Sequence, residues 1–123
     1  MIVSEAIEKV KERKPNAYSD QMLLDWLNDI EAQVQKELLD TAPEGIVSYK
    51  LDRDMERELM LPRPYDVLYT TYIIMMIEFN QQEYTAYNNT AELFNTQFAE
   101  AQKYYNEKYQ KTHTLKITNW GKL

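Results

Sequence analysis

The sequence predicts an all-α fold: a four-helix bundle with an extended excursion between helices two and three and an extended C-terminal arm. Three observations lead there. Glycine occurs twice and proline four times in 123 residues, too little turn material for a many-stranded β fold. Apolar residues recur at spacings of three and four along several stretches, the period of a helix with one buried face. The last of these stretches holds a heptad spacing for three repeats. With 44% hydrophobic residues, a chain of this length buries one core. The organisation expected is therefore one helical domain over residues 1–111 followed by an arm, 112–123.

Residues 3–13 place Val3, Ala6, Ile7 and Val10 at helical spacing, and Pro15 biases Lys14 out of the α region. The second helix, 20–40, starts at Ser19, whose hydroxyl suits an N-cap, with Asp20 in the first turn and Tyr18 and Leu23 at the positions of a hydrophobic staple. Its stripe is Leu23, Trp26, Leu27, Ile30, Val34 and Leu38, and Pro43 and Gly45 stop it. From Ile46 to Leu61 the period changes: Val47, Tyr49 and Leu51 alternate with polar residues. An isolated extended segment cannot satisfy its own backbone, so 46–61 is expected to pair as a hairpin or with another chain.

A third helix is expected over 64–79, with Pro64 at its first position and Asp66 in its first turn. The run from Val67 to Phe79 is apolar on nearly every side and must be covered all round. At 13 residues, and carrying Glu78, it is short of the roughly 20 that a bilayer span needs. Asn80-Gln81 marks a turn, and the fourth helix, 82–109, carries Tyr84, Tyr87, Ala91, Phe94, Phe98, Ala101 and Tyr105 along one face. At 1.5 Å per residue the two helices measure about 24 and 42 Å, so an antiparallel pair leaves the end near Tyr104, Tyr105 and Tyr109 overhanging. Leu115 and Ile117 flank Lys116 before Trp120, which reads as an extended docking arm. The expected protomer core comprises Trp26, Leu27, Ile30, Leu68, Tyr72, Phe94 and Phe98.

The chemistry-bearing residues are sparse. Cysteine is absent, which removes disulfides, thiol nucleophiles and thiolate metal sites. The single histidine, His113, has no nucleophile elbow beside it. Asp25 with Asp29, and Asp52 with Asp54, read as wet-face carboxylates, and Asp52-Arg53-Asp54 lacks the glycine and distal glutamate of a calcium loop. Gly45 and Gly121 stand alone, so nothing resembles a phosphate cradle. No catalytic, cofactor or metal residues are expected. A formal charge of −6 opposes a phosphate grip, and Glu5, Glu8 and Lys9 interrupt any secretory core at the start. Ten tyrosines are the anomaly: rings with one apolar and one wet side favour interfaces, and Tyr69, Tyr104, Tyr105 and Tyr109, with Leu115, Ile117 and Trp120, are the candidate interface residues.

Leu61-Pro62-x-Pro64-Tyr65-Asp66 with Tyr69, then Tyr87-Asn88-Asn89-Thr90 with Phe94-Asn95 and Tyr105-Asn106, are the most specific elements of a wider similarity over about residues 12–113. In these the chain resembles the head-tail connector, or adaptor, proteins of Firmicutes tailed phages and prophages. The departures are Gln81 where the family commonly has glycine, and the insertion Glu107-Lys108-Tyr109-Gln110 before Thr112-His113. The resemblance implies a non-enzymatic virion subunit, made in the host cytoplasm, that forms a ring with further copies of itself, twelve in the usual case. That ring would dock below the portal protein, meet the next neck or tail-completion protein, and carry DNA only as passing cargo, with no membrane contact. The arm would dock on the portal or on the neighbouring subunit, and the resemblance favours the portal. Two readings of other classes compete: a small helical scaffold or regulatory protein binding one partner through its tyrosine face, and a hydrolase with a carboxylate site.

Overall fold

The structure, a computed structural model, describes residues 1–121, with side chains described through Tyr109. It is all-α, with four helices: α1 (Val3–Arg13), α2 (Asp20–Glu37), α3 (Val67–Asn80) and α4 (Tyr84–Gly121). A single 3-10 turn, Pro43–Gly45, follows α2. Helix α3 lies at the centre and packs against the other three, most extensively against α4. Its all-round hydrophobicity is thereby explained, since it buries Leu68, Tyr69, Ile73, Met75 and Ile77 on several sides at once.

Local chemistry accounts for most boundaries. The Ser19 hydroxyl accepts from Met22 N–H at 3.1 Å, and the Tyr18 ring meets Trp26 edge-on at 5.2 Å. Helix α2 ends at Glu37, three residues short of the expected limit, and Asp40 turns the chain in the left-handed region. Helix α3 starts at Val67, later than expected. Pro62–Asp66 form a separate turn in which Tyr65 and Asp66 N–H both reach the Pro62 carbonyl, so Pro64 precedes the helix and Asp66 is its N-cap. The signal of a proline followed by an acid is the same for a turn as for a first helical position.

The α3–α4 connection is as tight as a glycine turn without containing glycine. Gln82 takes φ 61°, Gln82 N–H bonds Phe79 C=O at 3.1 Å, and Glu83 N–H bonds Glu78 C=O at 2.9 Å. These are the two bonds of a Schellman motif. Lys14 ties the turn to the end of α1, its Nζ lying 2.5 Å from Glu83 and 4.0 Å from Glu78.

Four expectations are corrected. The segment 46–61 does not form a hairpin; it is held by α2 side chains, as described below, and by backbone bonds to residues 1–4. Residues 112–121 continue α4 rather than forming an extended arm. No glycine or proline interrupts 84–120, and adding one turn to an existing helix is far easier than nucleating one, so a short alternation around Lys116 does not stop it. Tyr72, Phe94 and Phe98 are half-buried at the core's edge, because α4 is covered on one side only; Trp26, Leu27, Ile30 and Leu68 are buried as expected. Tyr69, expected at an interface, is fully buried.

Replacing Gln82 by glycine removes the cost of holding a side chain in the left-handed region. Gln82→Gly is expected to raise stability by about 0.5–1 kcal/mol, measured by chemical denaturation, while Gln81→Gly, at a negative φ, should not.

Candidate interaction surface

The surface is positioned by a polar face buried inside the fold. Asn28, Glu31 and Gln35 recur at spacings of three and four along α2, so they share one side of that helix. The Gln35 carboxamide donates to Val47 C=O and accepts from Val47 N–H, both at 2.8 Å. Asn28 does the same for Tyr49, donating at 2.9 Å and accepting at 2.8 Å. Each amide offers the donor and acceptor that a neighbouring strand would offer, so the extended segment is satisfied without a sheet. Between them, the fully buried Glu31 carboxylate accepts from Tyr49 Oη at 2.7 Å, Tyr69 Oη at 2.5 Å and Met60 N–H at 2.9 Å. Leu61 N–H donates to Tyr69 Oη at 3.0 Å. Burial, followed by the Glu31 charge, pushes the Tyr69 hydroxyl far above the ordinary tyrosine value of 10, and burial and the Glu31 hydrogen bond do the same for Tyr49.

The segment has its own tight turn. Asp54 accepts from Lys50 N–H at 2.8 Å and from Arg53 Nε at 3.0 Å, and these bonds, the Arg53 guanidinium first, hold its carboxyl down at about 2. The returning strand of the segment then caps α1: Val3 and Ser4 N–H donate to Arg57 and Met55 C=O at 3.0 and 2.9 Å.

This framework fixes the Pro62–Asp66 turn and, through it, Tyr65, whose ring stacks on Tyr104 of α4 at 4.8 Å. Tyr105 meets Tyr104 edge-on at 5.0 Å and carries Lys108 over its face. Burial, then Tyr104 and Tyr65, raises the Tyr105 hydroxyl above its ordinary value. Tyr109, one turn on, is 68% exposed. At the other end of α4 a second aromatic group forms: Phe79 lies 5.3 Å from Tyr87 and 6.3 Å from Tyr84, and Phe79 and Tyr84 are 50% and 54% exposed. Between these ends Ala101 is the one fully covered residue among the described residues of α4.

No family model, curated protein or solved structure matches this chain. Geometry therefore carries the assignment. Of the interface residues expected from sequence, Tyr104, Tyr105 and Tyr109 come together on the overhanging part of α4, and Tyr69 does not, because its hydroxyl is taken by Glu31. Leu115, Ile117 and Trp120 lie on the helical continuation, and their side chains fall outside the described residues. Sequence reasoning missed Phe79 and Tyr84 as a second exposed group and missed Glu31 altogether. The signal was present in the 28, 31, 35 spacing, which falls alongside an apolar stripe instead of opposite it.

Asp25 and Asp29 do share an exposed side of α2. Asp25 accepts from Gln21 at 2.8 Å, and partial burial, with repulsion from Asp25, raises the Asp29 carboxyl. Among the described residues no cluster of three or more His, Asp or Glu side chains could hold a metal ion, and no helix is long and apolar enough to cross a membrane.

Glu31→Ala removes the acceptor of Tyr69 Oη and of Met60 N–H and leaves Tyr49 Oη only the Glu58 carbonyl at 3.5 Å, and a loss of about 2–4 kcal/mol in unfolding free energy is expected; Tyr69→Phe should cost about 1–3 kcal/mol. Tyr49 and Tyr69 have raised folded values, so their contribution is complete below pH 10 and is lost as pH rises beyond it. In an ultraviolet titration of the phenolates, these two tyrosines should ionise only as the fold is lost. The Asp54 sign is opposite. Its folded value of about 2 lies below the ordinary 3.8, so its stabilisation is present above pH 4 and disappears as pH falls toward 2. Asp54→Asn should flatten that part of the acid unfolding curve.

Proposed function

We propose that this chain is a structural subunit of a tailed-phage neck: a homo-oligomeric ring seated between the portal and the next neck protein, extending the DNA channel and carrying no enzymatic activity. The observation that carries this reading is α4. Its 38 residues span about 57 Å, whereas α3, its main partner, spans about 21 Å, so the helix runs well past the partner it packs along. Exposed aromatic rings at the start of such a rod and again about 30 Å along it are what contact between subunits uses. The resemblance to connector proteins supports the same reading, and its motif residues have structural work here: Leu61 and Tyr69 join the Glu31 network, and Tyr65 braces α4. The acidic balance suits a channel wall that duplex slides past.

The purified full-length chain is expected to sediment as a ring-sized assembly at tens of micromolar, and a phage lacking its gene should yield heads without attached tails. Normal virions from that deletion overturn the neck assignment. A chain that stays a monomer or dimer and captures one helical partner through Tyr104 and Tyr109 supports the scaffold reading instead.

A further inference from the structure

Three cations converge on one cleft without partners. Lys9 and Arg13 stand one turn apart on the exposed side of α1, and the turn before α3 brings Arg63 to the same cleft, which has a volume of about 350 Å³. None of the three makes an ion pair or side-chain hydrogen bond with a described residue, whereas Lys11, Lys14, Arg53 and Arg57 all have carboxylate partners. The two acids lining the cleft face groups other than these three cations, and one of those groups, the Met1 amino nitrogen, lines the cleft as well. Glu5 accepts from Ile2 N–H at 3.2 Å, and Asp66 faces the Met1 amino nitrogen at 3.7 Å. Two free guanidinium forks beside an ammonium group, in a chain of net charge −6, form a receptor for carboxylates.

The same protomer carries the complementary feature on a different face. Asp25 and Asp29 lie one turn apart on exposed α2 with no cation paired to either among the described residues, and partial burial, then the like charge of Asp25, disfavours ionised Asp29. Asp25 lines a cleft with Asp52 and Lys50, and that cleft shares no lining residue with the basic one.

We infer that the Lys9, Arg13 and Arg63 cleft is the docking site for the Asp25 and Asp29 ridge of a second copy of this chain. Two unlike patches that fit each other make a heterologous, head-to-tail contact, the kind that closes into a ring or runs on as a filament. The inference rests on the homo-oligomeric part of the proposed function and names which surfaces meet. Nucleic-acid phosphate is the less favoured occupant, because the chain as a whole repels polyanions.

The test is a charge exchange in the full-length chain, read by sedimentation velocity at low and high salt. Wild type should assemble, and less so as salt rises. A Lys9→Glu, Arg13→Glu, Arg63→Glu variant and an Asp25→Lys, Asp29→Lys variant should each lose about a hundredfold or more in association. An equimolar mixture of the two should assemble again, since each then offers the surface the other lacks. Circular dichroism checks the fold, and the milder Lys9→Gln, Arg13→Gln, Arg63→Gln variant, with no new repulsion, should weaken assembly about tenfold and flatten its salt dependence. If wild type assembles and the variants assemble equally well, or the mixture fails to recover, the surface assignment is wrong while the ring reading survives. If wild type never assembles, the ring reading itself falls and this inference with it. Duplex DNA binding that is lost in the reversed variant while assembly is unchanged assigns the cleft to phosphate and overturns the inference.

Discussion

The rest of the structure depends on how a sixteen-residue segment without a sheet keeps its backbone satisfied. The segment 46–61 runs beside α2 for its first part, and Gln35 and Asn28 each bind both polar groups of one residue, Val47 and Tyr49. Seven residues of helix rise about 10.5 Å, while two residues of extended chain cover about 6.6 Å. The reach of the side chains makes up the difference. Glu31, midway between the two amides, then gathers Tyr49 from one end of the segment, Met60 from the other, and Tyr69 from α3. A buried carboxylate is tolerable here because it has three donors and needs no cation, and losing any one of them leaves a charge or a donor stranded in a medium that cannot solvate it.

From this follows a division of the molecule. The segment caps α1 through Arg57 and Met55, Glu31 binds the segment to α3, and Lys14 binds the end of α1 to the turn after α3. α1, α2, the segment and α3 are thus joined by directional bonds as well as by packing. Helix α4 is held differently, by a heptad face of rings laid along α3 and by the Tyr65–Tyr104 stack. Stability is not uniform in such a molecule: the body is held by directional bonds and packing together, and the rod by packing alone among the described residues.

Much of this was legible in the sequence, and the failures share a cause. Helices α1 and α2 were readable because their buried stripes, Pro15 and Ser19 act locally. The apolar run in α3 announced its central place. What local patterns do not contain is the identity of the partner. Tyr69 looked like one more interfacial ring because nothing near it in sequence reveals a carboxylate 38 positions away. Glu31 drew no notice for the same reason. Phe94 and Phe98 were read as core because a heptad face tells which side of a helix is covered, and not how completely. At the far end, Leu115 and Ile117 alternate as a strand would, yet the helix arriving from Tyr84 was already formed and met no stop before Gly121.

The division between body and rod bears on why the exposed rings are not a defect of folding. A protomer whose extended segment required a second chain for its hydrogen bonds could fold only on assembly. Here such bonds come from α2 and from residues 1–4 of the same chain, and the exposed rings at Tyr84 and Tyr109 take no part in them. Surfaces of that kind are free to be specified by something other than folding. Folding and assembly can then be altered separately in this chain: changes at Asn28, Glu31 or Gln35 act on the body, and changes at Tyr104, Tyr109 or Arg63 leave it intact while altering what the rod and the cleft can meet.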